Sequence, residues 1–550
     1  MILTEDRLQD LLDKSLAELP RGTEWAVTLE GSIAEGFGNP SSDIDFLLVG
    51  RREDDLPAMP SLLFVDGRRV EIRTQSVRQL ADRLRAVEEG AERPGRLSED
   101  LLNRCQRLLH SHPLRGHALV EEVKAMLPVE RFRRITAGWW AHRARQSLRH
   151  AMALLCLGEC DEAVDWTRAG LVQTVKSWAA GLGETYLEPK WLSLQLDRAG
   201  HADVRDRYWE LAATDPAAGD AEAAHAHLAA CLAFAEEVGL TGVPWRAERL
   251  TVERVAGVTT WQTGDRVHVI RGRREVFALG EDSGAVWRSL VLGRPLPRVL
   301  AAATDTGVAD PGPPLAAFLR YGLIRLAWKG GGTVTPALPL AAPPGPVTPP
   351  PSTAQPLLSV RGAAVGGPGA VDLLPLPADR FAAAAMALVW SNVVVENAVE
   401  DLTGALRRGQ WRVAELTARR AVHAALRGLF SAHGVHPLPA DPDLVRRFDL
   451  LPPTTGPIGA HAGELLRRTV DSAQHGDTLL TELRAYIGRV RDTVGAGSFP
   501  LSFDSADTWR ATLQIGYDWL RIGAHLDAEL PIEEARDLLA CNGAQPHQAL

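Results

Sequence analysis

The amino-acid sequence predicts an α+β multidomain chain, in which one α/β unit carries the polar chemistry and helical units surround it. Three observations lead there. The chain has 550 residues, more than one hydrophobic core usually supports, so several domains are expected. Strand-like runs cluster between residues 25 and 75 and return after residue 250, while the stretches between carry Ala- and Leu-rich helical periodicity. Residues 330–378, beginning GGGTVTPALPLAAPPGPVTPPPSTAQP, are too dense in Pro and Gly to build a core. They read as an extended linker before a last helical block that moves or docks separately.

The first unit, residues 1–115, opens with a helix (TEDRLQDLLDKSLAEL). Trp25 to Glu30 (WAVTLE) then reads as a strand running into a Gly31-Ser32 turn. Gly31 lets backbone approach a phosphate closely, and Ser32 adds a hydroxyl donor. A second strand, DIDFLLVG, follows. Successive side chains on a strand point to opposite faces, so Asp43 and Asp45 share one face and Ile44 and Phe46 the other. Two adjacent carboxylates repel unless a cation sits between them, and Mg²⁺ suits a site of few carboxylates completed by water and phosphate oxygens. In LLFVDGRRVEIRT, Asp66-Gly67 is a hairpin signal. Glu71 lies on the returning strand between Val70 and Ile72, which face the core and leave Glu71 on the other side. A helical close through LLNRCQRLLHSH completes the unit.

This order of a Gly-Ser turn, an acid-hydrophobic-acid triplet and a later strand acid resembles the nucleotidyltransferase superfamily of the DNA polymerase β type. The resemblance spans residues 20–75. It implies that Asp43 and Asp45 hold two Mg²⁺ ions, that Glu71 completes the second metal site, and that Gly31 and Ser32 contact the phosphates of ATP or another NTP. The implied activity moves a nucleoside monophosphate, most plainly AMP from ATP, onto a hydroxyl-type acceptor with release of pyrophosphate. Glu71 departs from the commoner Asp of that family, and its longer reach suits a general base as well as a metal ligand. Glu35 and Glu184 are further carboxylates able to take the acceptor's proton, though surface charge is the simpler account of each.

Residues 116–245 read as helical, with Asp161, Glu162 and Asp165 favouring a helix start and Gly181 and Gly183 its end. That plan resembles the aminoglycoside and small-molecule nucleotidyltransferases, whose helical domain closes over the acceptor. It implies Lys190, in YLEPKWLSLQL, as a triphosphate contact. Residues 246–329 read as two strands around the turn Arg271-Gly272-Arg273-Arg274, a helix carrying Trp287, Leu290 and Val291, and a last helix running into FLRYGLIRLAW. FALGEDSGAVWRSLVLG and LRYGLIRL resemble the PqqD-like domains of ribosomal-peptide modification, winged-helix units that bind a leader peptide as an added strand. The acceptor implied is then a peptide of a natural-product pathway, while an aminoglycoside-like small molecule is the alternative. A plain structural winged helix stays open as well.

Residues 379–550 form two helices around a Gly-Gln-Trp break and resemble the HEPN bundles that accompany nucleotidyltransferases. They read as a binding or homodimerisation unit, or as a wall on the acceptor side. Trp509, Tyr517 and Trp519 fall at helical spacing and read as core. Arg143 or Arg145 with His150 matches the arginine-histidine spacing of RNA-cutting members, a spacing that arises by chance in a chain this rich in arginine.

A formal charge of -9 argues against a nucleic-acid partner. The cysteines, Cys105, Cys156, Cys160, Cys231 and Cys541, show no paired metal spacing, which suits a reducing cytoplasm. The chain opens without a signal-peptide pattern and holds no apolar run of about 18 residues, so no membrane partner is expected. From another class, a nucleotide-sensing binding protein would use the same turn and acids without turnover, and the intact acid triad weighs against it.

Overall fold

Helix α1 (Glu5–Ala17) and strand β1 (Ala26–Glu30) begin the computed structural model. It describes residues 4–17, 25–39, 41–52, 56, 61–240, 246–263, 266–271, 275–279, 281–332, 334, 358–361, 372–375, 378–432 and 438–493. A four-residue turn, α2 (Gly31–Ala34), leads to β2 (Ile44–Gly50), β3 (Ser61–Val65) and β4 (Arg68–Ser76). Asp66 and Gly67 both take positive φ, 51° and 74°, and close the β3–β4 hairpin as the sequence predicts. The sheet order is β3-β4-β2-β1-β5, where β2 and β4 run parallel and the other pairs antiparallel.

Strand alternation sorts this sheet into two layers. Val27, Leu29, Ile44, Phe46, Leu48, Val70 and Ile72 face Leu8, Leu11 and Leu12 of α1. On the other face Ala26, Leu47 and Val49 meet α3 (Val77–Gly90) and α4 (Glu99–Leu109) through Leu80, Leu84, Leu102 and Leu108. Each such leucine contributes about 1.5–3 kcal/mol by leaving water. Both helices start on serine caps: Ser76 forms a reciprocal box with Gln79, and Ser98 accepts from the Leu101 amide. The predicted helical close departs from the structure at its end. The helix stops at Leu109, and His112–Arg115 becomes the edge strand β5 beside β1.

Helices α5 (His117–Lys124), α6 (Val129–Cys156), α7 (Cys160–Gly181), α8 (Leu192–Ala199), α9 (Ala202–Ala212) and α10 (Ala221–Glu237) follow. Helix α7 begins and ends where the acidic first turn and the glycines predict. Next come β6 (Leu250–Arg254), β7 (Val258–Thr263), β8 (Arg266–Arg271), β9 (Glu275–Ala278), α11 (Glu281–Ser289), α12 (Leu296–Thr304), α13 (Gly312–Arg320) and β10 (Ile324–Trp328). Strands β8 and β9 pair on either side of residues 272–274, which lie outside the described residues. Trp287 of α11 sits edge-on to Phe318 of α13. The last predicted helix is too long: Gly322, at φ 60°, turns the chain, and IRLAW returns as β10 to pair with β6. A third helix, α12, fills the space between.

Within the Pro/Gly segment the described residues include one pairing, of β11 (Leu358–Arg361) with β12 (Asp372–Pro375). Helices α14 (Ala378–Arg407) and α15 (Trp411–Ala432) flank Gly409, at φ 66°, as the Gly-Gln-Trp break predicts. α16 (Asp441–Leu444), α17 (Gly456–Leu466) and α18 (Ala473–Thr493) complete the last block. Trp509, Tyr517, Trp519 and Cys541 lie outside the described residues.

This block is not a separately docked unit. Phe37, Tyr186 and Trp191 share a core with Leu402, Leu426 and Tyr486 of the bundle. Asn39 Nδ2 donates to the Asp401 carbonyl at 3.3 Å, and Arg408 Nη1 donates to the Gly38 carbonyl at 3.1 Å. Gly404 is required there, because a Cβ would overlap the Asn39 side chain. Thus α14 lies directly against the loop between the Gly-Ser turn and the two aspartates.

Candidate functional site

The parallel register pairs Asp45 with Glu71, and the antiparallel one pairs Asp45 with Glu30. Three acids therefore cross adjacent strands in one row on the α4 side of the sheet. Asp43, one residue before β2, turns to the same side. Ligand oxygens of Asp43, Asp45 and Glu71 all lie within 4.8 Å of one another. Gly31, at φ 73°, passes so close to Asp45 that a Cβ would overlap Oδ2. Ser32 is buried beside it, and the first amides of the α2 turn have no helical carbonyl to meet. The structure thus brings together Gly31, Ser32, Asp43, Asp45 and Glu71.

Cations surround this acidic row. Arg69 Nη2 donates to Asp43 Oδ2 at 3.1 Å, and its Nη1 lies 2.8 Å from Glu400 of α14. Arg73 bonds Glu30 and lies 3.6 Å from Glu71. Arg107, on α4, places Nη2 2.7 Å from Asp45 Oδ1, yet the angle is wrong for a hydrogen bond and Asp45 Oδ1 stays buried without an aligned donor. Burial pushes the Asp45 carboxyl up to about 7 against the pull of Arg107, with Asp43 and Glu71 adding to the rise. Burial also raises Asp43, but Arg69, Lys190 and Arg107 outweigh it and the net shift is down. Asp43 is thus the more readily ionised acid of the pair and Asp45 the less, the usual outcome for close carboxylates.

A hard divalent cation fits this donor set. All ligand atoms are carboxylate oxygens, one of them lacks an aligned donor, and the cluster is open on the side of Asp43 and Glu71, both about a quarter exposed. Bound positive charge would also offset the burial and the mutual repulsion that together keep Asp45 high.

Lys190 stands at the rim of the site and acts on Asp43, but its ammonium is held by Asp401 at 2.6 Å and Glu188 at 3.0 Å. Glu188 is also held by Arg420 of α15 at 2.9 Å. Contact of Lys190 with a triphosphate therefore requires it to leave two carboxylates. Glu35 and Glu184 are no loose surface charges. Glu35 bonds Gln106, lies 3.3 Å from His110 and, with Glu184, engages Arg198, whose guanidinium sits 4.2 Å over Phe37. Burial raises Glu35 to about 7, against the pull of Arg198. His150 is buried edge-on to Trp166, where an RNA strand would not reach its ring without displacing the packing around it.

Sequence reading missed Glu30, Arg69, Arg73, Arg107, Glu400 and Asp401. Two were within reach, since Arg69, Glu71 and Arg73 occupy alternate positions of one strand and must share its face. Glu400 and Asp401 had no local signal, because only the docking of α14 brings them here. Burial raises Glu400 to about 7, with Arg69 opposing. No family model matches the chain, and no curated protein matches it. Among the described residues, no helix is long and apolar enough to cross a membrane.

Proposed function

We propose that the chain is a nucleotidyltransferase that moves a nucleoside monophosphate, AMP from ATP in the simplest case, onto a hydroxyl-type acceptor. The observation that carries this reading is the convergence of Asp43, Asp45 and Glu71 within 4.8 Å, beside the close Gly31-Ser32 turn. Mg²⁺ held by these acids would neutralise the triphosphate and ease ionisation of the acceptor hydroxyl. The remaining roles belong to the chain. Gly31 and Ser32 would bring backbone amides and a hydroxyl to the phosphates. Arg107, poorly aligned on Asp45, and Arg69, shared between two acids, are the guanidinium groups best placed to turn to phosphate oxygens. Glu400, which shares Arg69 with Asp43 of the triad, would take the acceptor's proton at neutral pH.

The acceptor would lie between the sheet and α14. Strands β7 and β9 are the outer strands of their sheet, which suits an acceptor peptide held by strand addition, and a small hydroxylated molecule is the alternative. A second reading has its own observation. Arg69 and Arg107 already counter Asp43 and Asp45, a charge balance that also suits a nucleotide sensor.

Pyrophosphate release with each NTP and Mg²⁺ separates them, measured on the wild type and on a chain with Asp43→Asn and Asp45→Asn, with peptides and hydroxylated small molecules as acceptors. Release that needs metal and both aspartates, with a mass gain on one acceptor, supports the transferase. Saturable NTP binding without turnover on any acceptor refutes it in favour of the sensor.

A further inference from the structure

Among the described residues, several buried or partly buried arginines are paired with acids. Arg69 meets Asp43 and Glu400, Arg107 meets Asp45, Arg320 meets Glu159 and Glu162, and Arg491 meets Glu396. Arg149 differs. It is 7% exposed on α6, and among the described residues no carboxylate pairs with it. Its guanidinium lies 4.6 Å over the ring of Trp328, and its Nε is buried without a hydrogen-bond partner. Burial, with the charges of Arg145 and Arg249 adding to it, pushes its pKa down to about 10. Arg249 approaches the same indole at 5.8 Å and is fixed by donating Nε and Nη2 to the Lys329 carbonyl at 3.2 and 2.7 Å. His142, nearby on α6, is held below its ordinary pKa by burial and by Arg145, Arg149 and Arg143.

Such a cluster is costly when empty. A buried cation without a counter-ion loses hydration and gains nothing in return, and stacking on an indole recovers only part of that loss. The backbone beside it carries no side chains over three residues. Gly330, Gly331 and Gly332 have φ of 111°, 124° and 94°, and a Cβ on Gly332 would stand 3.8 Å from Arg149 Nη1. Any longer side chain there would grow into the volume beside the guanidinium.

We infer that the junction of α6 with the glycine run after β10 is a second binding site, centred on Arg149, for a phosphate-type oxyanion, free or carried on a larger molecule. The planar guanidinium, seated over Trp328, carries the donors for paired hydrogen bonds to two oxygens. Arg145 and Arg249 add charge that matches a dianion better than a single carboxylate. Nothing in this inference depends on nucleotidyl transfer.

The test is calorimetric titration of the full chain with inorganic phosphate and with pyrophosphate, in EDTA so that no metal bridges phosphate to the acid triad. Acetate at equal ionic strength is the control for a monoanionic carboxylate. Saturable binding weakened about tenfold or more by Arg149→Gln, and weakened also by Arg249→Gln, is the expected result. Arg249→Gln, at a less buried residue, keeps the test decisive if the Arg149 variant does not fold. Unchanged binding in both variants, with loss in Arg69→Gln, would assign the phosphate to the triad cleft and overturn the inference. So would the absence of saturable binding, or acetate binding as tightly as phosphate.

Discussion

Replacing Gly31 by alanine perturbs two things that a second glycine lets us separate. Gly31 and Gly36 adopt nearly the same left-handed backbone, φ 73° and 77°, but a Cβ at Gly31 overlaps Asp45 Oδ2 while one at Gly36 meets nothing within 4 Å. The backbone term is common to both and costs about 1–2 kcal/mol. The steric term belongs to Gly31→Ala alone. Relief of that overlap requires Asp45 to move by about 1 Å, and misplacement of a reacting group on that scale costs about a hundredfold in rate. Gly36→Ala should therefore lower the melting temperature by the backbone cost alone, and Gly31→Ala by that cost and the overlap together. Metal-dependent pyrophosphate release should fall about a hundredfold only in Gly31→Ala, the cost of the displaced carboxylate. Equal activity in the two variants would refute the argument, because Asp45 would then tolerate displacement and could not be the metal-holding acid of a close phosphate site.

Three further outcomes follow from buried charge. Glu400→Gln should abolish the acid limb of the pyrophosphate-release pH profile near pH 7 while leaving NTP affinity nearly intact, whereas an unchanged profile would remove Glu400 from proton transfer. Lys176, fully buried and bonded to the Tyr186 carbonyl and Gln195, is held down to about 7 by desolvation. Between about pH 7 and its ordinary 10.5 the unfolded chain binds this proton and the folded chain does not, so stability rises with pH across that window. Lys176→Met should thus raise the melting temperature more at pH 6 than at pH 10, and equal shifts at both would show the ammonium to be solvated. Asp443, bonded to Trp166 Nε1 at 2.8 Å, is raised by burial and by Glu162. The folded state keeps its proton above the ordinary carboxylate range, so stability falls as pH rises, and Asp443→Asn should stabilise at pH 8 more than at pH 5 in differential scanning.

The sequence by itself determined which face of its strand each of the three triad acids takes. Period-two alternation in DIDFLLVG and RRVEIRT buries Ile44, Phe46, Val70 and Ile72 on one face and leaves Asp45 and Glu71 on the other, while the parallel pairing of β2 with β4 sets those two acids side by side. Helix α7 and the Gly409 break were legible for the same reason, since their signals are local. Helix ends at Leu109 and Arg320 were not, because pairing with β1 and β6 outweighs the propensity of the residues that follow. Only the tertiary structure decided what faces the acids. Glu400 reaches Arg69 from more than three hundred residues away, and Asp401 holds Lys190 from more than two hundred, through the packing of α14 on Asn39. A pattern within a strand or helix carries the geometry of its own few residues, whereas the partner of a charge is set by how separate elements bury their apolar faces together.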